Sequence, residues 1–253
     1  MDLVYRERGE GEPLLLIHGL FGSADNLGGL VRILETDYRT ISLDLRNHGR
    51  SPHAEAMNYS AMADDVRALM DRLGLERAHI FGHSMGGKTA MQLALDHPAR
   101  IDKLVIADIA PVTYGNHHTK ILEGMKAVAA AAPVSRKGAQ EILEHYESEM
   151  SILSFLLTNW RRSEDGIWGW RLNLDAIARN YADIAAGNSG SPYTGEVLFL
   201  RGGNSNYVLA EHRDQILNLF PNASVRTIEG TGHWLHAEKP DMVARAVTRF
   251  LGA

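Results

Sequence analysis

The strongest constraint on the fold is a set of short, nearly uninterrupted apolar runs separated by longer segments with helical periodicity. The runs lie at residues 14–18, 40–45, 78–81, 104–107 and 197–200. Strands that are apolar on both faces are typical of a parallel sheet covered by helices on each side. The alternation therefore predicts a doubly wound α/β fold, and 253 residues are enough for one such domain.

Helices are expected between and after these strands. One is predicted from Ser60, as its N-cap, to about Leu73, with Gly74 ending it. The other core elements predicted are, in chain order, a helix at 84–97, a helix at 211–220, a strand at 225–228 and a helix at 239–251.

The segment 112–190 interrupts the alternation. It is helical in pattern, lacks a buried-strand run and holds three of the four tryptophans, and a turn at 163–166 suggests a small hairpin. We therefore predict an α/β core formed by 1–111 and 191–253, covered by a helical cap, or lid, at 112–190. Such a cap is expected to belong to the more mobile part of the fold.

Composition excludes several classes of function. The formal net charge of −5 gives no concentrated basic face of the kind that nucleic acids require. The chain has no cysteine, which rules out disulfides, thiolate metal sites and a cysteine nucleophile. The N-terminus has no apolar signal core, and no apolar run approaches the roughly 20 residues that span a bilayer. We expect a cytoplasmic protein with no membrane or nucleic-acid partner.

The segment Gly82-His83-Ser84-Met85-Gly86 has the pattern G-x-S-x-G. It follows a predicted strand and precedes a predicted helix, the context in which this pattern forms a nucleophile elbow. The flanking glycines allow a tight turn that exposes the serine hydroxyl at the carboxyl end of the sheet. We predict that Ser84 is a nucleophile; the alternative is a glycine-rich turn with an idle serine. His83 is expected to pack beside the site and not to act as the base.

The loop at 18–22 directly follows the first apolar run and is rich in glycine. A loop in this position can present a backbone N–H group next to Ser84 and stabilise an oxyanion. We assign Leu20 and Met85 as the two donors of this oxyanion hole, with Phe21 as the competitor of Leu20. The alternative is a simple turn without a catalytic role.

The loop at 230–234 follows the last predicted strand and places His233 between glycine-containing turns. A histidine at the carboxyl edge of the sheet can reach Ser84 as its general base. His236 is the rival candidate. The H-x-x-H spacing of these two histidines lacks the glutamate and the geometry of a zinc-protease helix, so no metal is expected.

Together, the segments HGLFGS, SLDLRNHGRSP, FGHSMGGK, ADIAPV and GTGHWLHAEKP resemble the α/β-hydrolase superfamily, most closely its small bacterial esterases. Mitochondrial abhydrolase-domain proteins are similar in the same motifs. The resemblance covers essentially the whole core and the place of the insertion. It implies an eight-stranded, mostly parallel sheet with a helical cap, and a serine hydrolase whose nucleophile, acid and histidine occur in that order. Such a mechanism needs no metal or organic cofactor.

The acid is the point where this chain departs from the commonest pattern of the superfamily. The turn at 201–206, where the acid usually lies, contains no Asp or Glu. Asp108 ends the preceding core strand, beside the strand that ends at Ser84, and neighbouring strands are only about 4.8 Å apart. We predict Asp108 as the triad acid, with Glu229 and Glu238 as fallbacks. The alternative role for Asp108 is to cap the turn that follows it.

Aromatic side chains are the candidates for substrate contacts. The predicted contacts are Phe21, His83, Phe155, Trp160 and Trp234. Within the cap, Trp160, Trp168 and Trp170 with Met125 and Phe155 can line an apolar acyl pocket or can serve only to pack the cap on the core.

The predicted function is that of a serine carboxylesterase, a carboxylic ester hydrolase that cleaves short-chain acyl esters through an acyl-enzyme. The same triad can serve an acyl thioesterase, a C–C hydrolase or a perhydrolase. A small-molecule receptor with a slow triad is the alternative of another class. The expected partner is a small-molecule acyl ester or thioester, bound by a monomer or a homodimer.

Overall fold

The computed structural model describes residues 1–252, and a seven-stranded sheet forms its centre. The strands of the chain are β1 (Tyr5–Arg8), β2 (Glu12–Ile17), β3 (Tyr38–Leu43), β4 (Ala78–His83), β5 (Ile101–Ala107), β6 (Trp160–Arg162), β7 (Trp168–Trp170), β8 (Val197–Gly202) and β9 (Ala223–Ile228). The central sheet has the order β1-β3-β2-β4-β5-β8-β9, in which β1 is antiparallel to β3 and the other neighbours are parallel. The predicted doubly wound, mostly parallel sheet is confirmed.

The strand count differs from the eight that the resemblance implies. Within residues 1–252 the central sheet has seven strands, because the four residues before β1 lie outside it. The N-terminal ammonium group of Met1 instead forms an ion pair with Asp65 at 3.0 Å. The first strand of the described sheet is thus the antiparallel edge strand β1.

Helices cover both faces of the central sheet. They are α1 (Gly28–Leu34), α2 (Tyr59–Arg72), α3 (Met85–Asp96), α4 (Thr119–Ala131), α5 (Arg136–Leu143), α6 (Met150–Leu156), α7 (Leu174–Arg179), α8 (Tyr181–Ala185), α9 (Arg213–Leu219), α10 (Leu235–Glu238) and α11 (Pro240–Leu251). Within residues 1–252, no helix combines the length and apolar character needed to cross a bilayer.

The continuous apolar strands are explained by two separate cores, one on each face of the sheet. In β2, Leu15 and Ile17 pack with α2, α3 and the inserted segment, whereas Leu14 and Leu16 pack with α1 and α11. Successive side chains of a strand point to opposite faces, so a strand between two cores must be apolar at every position. This packing is what made the strands visible in the sequence.

The segment between β5 and β8 contains α4 to α8 and a separate hairpin in which β6 pairs with β7. The hairpin predicted around the turn at 163–166 is confirmed, with Trp160 opposite Trp170. Leu122, Met125 and Leu153 of this segment belong to the core on the α2–α3 side of the sheet. The inserted segment therefore packs on that face, near the carboxyl ends of the strands.

The start of α2 differs from the prediction. Asn58, and not Ser60, is the N-cap: its side chain accepts a hydrogen bond from the N–H of Ala61 at 2.9 Å. The helix begins early because Tyr59 is already buried and donates its hydroxyl to the carbonyl of Ile184. Ser60 is exposed in the first turn.

Replacement of the observed cap should destabilise the protein, and replacement of the predicted one should not. Asn58→Ala should lower the free energy of unfolding by about 1 kcal/mol, because the N–H of Ala61 loses its partner. Ser60→Ala is the matched control and should change it by less than about 0.5 kcal/mol. Urea denaturation measures both; a larger loss for Ser60→Ala would contradict the assigned cap.

Candidate active site

Ser84 occupies a strained turn between β4 and α3. Its backbone has φ 54° and ψ −122°, a conformation that a serine adopts only where the surrounding structure enforces it. A Cβ on Gly82 would lie 2.3 Å from the carbonyl oxygen of Gly86, and one on Gly86 would lie 2.4 Å from that of Ile17. Both positions therefore require glycine, and the tight passage orients the hydroxyl of Ser84.

Ser84, His233 and Asp108 are joined by hydrogen bonds. The Ser84 hydroxyl lies 3.0 Å from Nε2 of His233, and Nδ1 of His233 lies 2.7 Å from Oδ2 of Asp108. The carboxylate fixes the tautomer, since Nδ1–H must donate to it, and this leaves Nε2 as the acceptor of the Ser84 proton. The structure thus brings together the three residues that the sequence placed on separate loops.

Strand register explains how Asp108 reaches the site. His83 of β4 pairs with Ala107 of β5, so Ser84 and Asp108 leave adjacent strands at the same edge of the sheet. Asp108 has φ 52°, and its N–H donates to the carbonyl of Leu200 at 2.7 Å. The chain therefore turns sharply at Asp108 while β5 remains anchored to β8.

The Asp108 carboxylate is completely buried and is held by donors from the turn after β8. Oδ1 accepts the N–H of Gly202 at 2.8 Å, and Oδ2 accepts the hydroxyl of Ser205. These bonds compensate for the removal of a charged group from water. The turn without an acid thus supplies donors to the acid on the neighbouring strand. Sequence reasoning missed Ser205, although its hydroxyl in the turn at 201–206 was the available signal.

A second residue missed from the sequence is Tyr207, whose ring stacks on the imidazole of His233. The ring centroids are 3.9 Å apart and the planes differ by 20°. On the other side, Nε2–H of His83 donates to the carbonyl of His233 at 2.8 Å. The His233 loop is thus fixed by a ring face and by a backbone hydrogen bond. No local pattern marked Tyr207, because its contact depends on how the loop after β8 folds back.

The rival candidates have other partners. His236 is buried with its ring 4.2 Å from that of His83, and burial lowers its pKa to about 3. Glu238 accepts the N–H of Gly232 at 2.9 Å, and the carbonyl of Glu229 accepts a hydrogen bond from a lysine. Among residues 1–252, the hydrogen-bond partners of the His233 ring are Ser84 and Asp108, and neither glutamate forms an ion pair with it. Within residues 1–252, no group of three or more His, Asp or Glu side chains is arranged to hold a metal ion.

Hydrogen bonds in the loop after β2 distinguish Leu20 from Phe21 as the first oxyanion donor. The N–H of Phe21 donates to Nε2 of His48 at 3.1 Å, and burial, the largest cause, lowers the pKa of His48 to about 3, which keeps that nitrogen an acceptor. Within the described part of the chain, the N–H groups of Leu20 and Met85 have no protein partner. Leu20 and Met85 are therefore the donors left free beside Ser84.

Two cavities of unequal size open at Ser84. The larger measures about 490 Å³, and of the predicted substrate contacts its wall contains Phe21, His83, Phe155 and Trp234. The smaller measures about 40 Å³ and lies against Met85.

Trp160 is not part of either cavity wall, and the substrate contact predicted for it is wrong. Its side chain is 1% exposed, its ring lies 5.1 Å from that of Trp170, and its Nε1–H donates to the carbonyl of Pro133 at 3.2 Å. Trp170 in turn donates to the carbonyl of Met125 at 2.8 Å. These side chains pack the inserted segment, as the alternative interpretation held.

Lys88 on α3 is a buried cation that contacts carbonyl groups and no carboxylate. Its Nζ donates to Val112, Ala185 and Ala186 at 2.6, 3.2 and 2.5 Å. It also lies 4.8 Å from the ring centroid of Tyr114. Burial lowers the pKa of Lys88 to about 7. One side chain thus connects the start and the end of the inserted segment to the helix that follows Ser84.

The lowered pKa of Lys88 predicts a pH-dependent contribution to stability. Between pH 7 and about 10.5, the unfolded chain holds this proton and the folded chain has released it, so folding becomes more favourable as the pH rises. The free energy of unfolding of the wild type, minus that of Lys88→Met, should therefore increase across this window, by at most about 1.4 kcal/mol per pH unit.

Urea unfolding of both proteins at pH 7, 8 and 9 measures this difference. The exposed Lys120→Met is the matched control for the loss of one lysine. A difference that stays constant or falls with pH would contradict the assignment.

Comparison with known proteins agrees with the fold. A family model described as alpha/beta hydrolase fold matches residues 12–240. The chain is 43% identical over 239 residues to a putative esterase/lipase of Haemophilus influenzae, covering 94% of this chain and 82% of the relative. It is 42% identical over 240 residues to Esterase YbfF of Escherichia coli, covering 94% and 92%.

A mouse relative and a solved structure extend the likeness. The sn-1-specific diacylglycerol lipase ABHD11 of Mus musculus is 42% identical over 247 residues, which cover 94% of this chain and 80% of the relative. The solved structure of a marine microorganism esterase superposes with a TM-score of 0.95 and 39% identity, covering 98% of this chain and 99% of the other.

Proposed function

This chain is a carboxylic ester hydrolase of the α/β-hydrolase family, and we propose that it cleaves short-chain acyl esters through an acyl-enzyme formed on Ser84. The observation that carries the proposal is the unbroken set of hydrogen bonds from Ser84 through His233 to Asp108. This arrangement provides a nucleophile, its base and an anion that stabilises the charged imidazole.

In the first half of the proposed reaction, Ser84 Oγ attacks the ester carbonyl carbon while His233 Nε2 takes the hydroxyl proton. Asp108 stabilises the resulting imidazolium and keeps Nδ1–H directed toward itself. The N–H groups of Leu20 and Met85 stabilise the tetrahedral oxyanion, each typically by about 3 kcal/mol. His233 then gives its proton to the leaving alkoxide oxygen, and the alcohol departs.

In the second half, His233 removes a proton from a water molecule that attacks the acyl-enzyme, and the acid is released as the Ser84 hydroxyl is restored. The environment of His233 supports this double role. Tyr207 stacks against one ring face, so the imidazole keeps its plane while its proton is gained and lost. We propose that the inserted segment, residues 112–190, serves as the cap that shields these steps from bulk water.

The larger cavity favours an uncharged ester over an acyl-CoA thioester. Its charged lining residues are Glu149 and Glu238, and no lysine or arginine is among the described residues of its wall. The phosphate groups of CoA would meet these carboxylates without a cation to bind them, whereas a neutral alcohol moiety would not. We therefore propose an ester of an uncharged alcohol as the substrate class.

Loss of the Ser84 hydroxyl should abolish ester hydrolysis. With nitrophenyl esters of rising acyl length, the wild type should cleave the short acyl esters, and Ser84→Ala should fall by at least about 10⁴-fold in kcat. Ser60→Ala, on the exposed surface of α2, is the matched control and should retain activity. Equal activity of the wild type and Ser84→Ala would overturn the mechanism.

Neutralisation of Asp108 should leave the shape of the site but remove the charge behind His233. Asp108→Asn is expected to lower kcat by about 10³ to 10⁴-fold, because an amide neither fixes the required tautomer nor stabilises the imidazolium. Glu229→Gln makes the same chemical change on the exposed surface and should have little effect. A near-normal kcat for Asp108→Asn would assign the acid to another residue.

A further inference from the structure

The two cavities at Ser84 are open to different halves of a bound ester. Both walls contain Ser84, Leu20, His118 and Tyr207, so the cavities meet at the nucleophile. Their volumes, about 490 and about 40 Å³, differ more than tenfold. An ester carbonyl placed at Ser84 must therefore send one substituent into a large space and the other into a small one.

The position of His233 identifies the space for the alcohol. In the proposed reaction, Nε2 of His233 gives its proton to the leaving oxygen, so that oxygen must lie on the His233 side of Ser84. His233 is part of the wall of the larger cavity and not of the smaller one. The alcohol moiety consequently extends into the larger cavity.

The position of Met85 agrees with an acyl group placed in the smaller cavity. The carbonyl oxygen belongs to the acyl half of the ester and is directed at the N–H of Met85 in the proposed mechanism. Met85 is part of the wall of the smaller cavity and not of the larger one. With the leaving oxygen assigned to the larger cavity by His233, the smaller cavity is the space that remains for the acyl group.

From this orientation we infer that the enzyme selects esters of a small acyl group with a bulky, uncharged alcohol. The inference rests on the proposed function and refines it. A cavity of about 40 Å³ is far smaller than the roughly 300 Å³ or more of a typical small-molecule site. We therefore expect the shortest acyl groups, such as acetyl, to be accepted best, whereas the larger cavity has the size of a typical small-molecule site.

Three polar side chains in the wall of the smaller cavity are already paired within the protein. The hydroxyl of Tyr59 donates to the carbonyl of Ile184, and that of Tyr114 donates to the carbonyl of Tyr207. The Nζ of Lys88 donates to the carbonyls of Val112, Ala185 and Ala186. These three side chains are already paired, so they offer the acyl chain their apolar surfaces and no free donor.

The larger cavity reverses an expectation drawn from the sequence. Phe155 and Trp234, whose rings lie 5.5 Å apart, line this cavity and therefore contact the alcohol in the inferred orientation. The sequence had suggested that Phe155 lines an acyl pocket. The aromatic surface selects the alcohol, and the acyl length is limited on the opposite side of Ser84.

Two isomeric esters test the orientation directly in the wild type. Naphthylmethyl acetate and methyl naphthylacetate have the same atoms and the same type of alkyl ester bond, but they exchange the bulky group between alcohol and acyl. The kcat/KM for the acetate should be higher by at least about 100-fold, because a single methylene of misfit already costs about 10 to 200-fold. Equal values, or a preference for methyl naphthylacetate, would overturn the inference.

A pair of matched variants tests the smaller cavity as the limit on acyl length. Ile184 lines the smaller cavity only, and Ile152 lines the larger cavity only. Ile184→Ala should raise the ratio of kcat/KM for naphthylmethyl hexanoate to that for the acetate by about 10-fold, and Ile152→Ala should leave this ratio within about twofold. The opposite pattern would assign the acyl chain to the larger cavity.

Thermal unfolding shows whether Ile184→Ala is folded. If it is not, the more conservative Ile184→Val takes its place, and a smaller rise in the same ratio is then expected. An unchanged ratio in a folded variant would contradict the inference.

Ser84→Ala is the blank in every assay and separates the two levels of the proposal. Hydrolysis of both isomers that depends on Ser84 but shows no preference would overturn the orientation and leave the proposed mechanism intact. Absence of any Ser84-dependent hydrolysis would overturn the proposed mechanism and the orientation with it. Ready cleavage of a diacylglycerol with long acyl chains would also contradict the small acyl cavity.

Discussion

The close approach of α3 to the ends of β2 and β4 is the constraint on which the site depends. Gly82 and Gly86 permit this approach, because any Cβ at either position would collide with backbone carbonyls. The approach forces Ser84 into its left-handed backbone conformation and brings the free N–H of Met85 beside the hydroxyl. The cost of one strained residue, on the order of 1–3 kcal/mol, is offset by the packing of a helix that is buried along most of its length.

Burial keeps most of the histidines around the site uncharged. His48, His118 and His236 are kept neutral by their surroundings, with pKa values lowered by desolvation to about 3, 4 and 3. His233 differs from them in contacting a buried carboxylate. In the proposed reaction the positive charge forms on His233, next to the Asp108 carboxylate. The neutral ring of His48 accepts a hydrogen bond, and that of His236 packs against His83.

Much of the fold and the chemical core of the site could be predicted because local signals carry them. A strand between two cores must be apolar throughout, and the turn at Ser84 must have glycines, so both leave a mark in the sequence. Asp108 could be inferred by elimination, since the turn after β8 has no acid and the neighbouring strand ends in one.

Contacts set by tertiary packing left no comparable mark. The N-cap of α2 moved to Asn58 because burial of Tyr59 decided where the helix begins. The sequence predicts that Trp160 contacts the substrate. An aromatic residue in a helical insertion, however, packs a core as readily as it lines a cavity. The roles of Ser205 and Tyr207 depend on how one loop folds back over Asp108 and His233, which no periodicity encodes.

The core carries the catalytic residues of the proposed enzyme, and the inserted segment forms part of its substrate cavity. Ser84, His233 and Asp108 lie at the ends of core strands, where the sheet fixes their distances. Tyr181 and Ile184 of the inserted segment close the smaller cavity. Lys88 bonds to carbonyls at both ends of that segment from a position one helical turn after Ser84. A change in the insertion can therefore alter the size of the accepted acyl group without displacing the nucleophile, because Ser84 is held by the turn between β4 and α3 in the core.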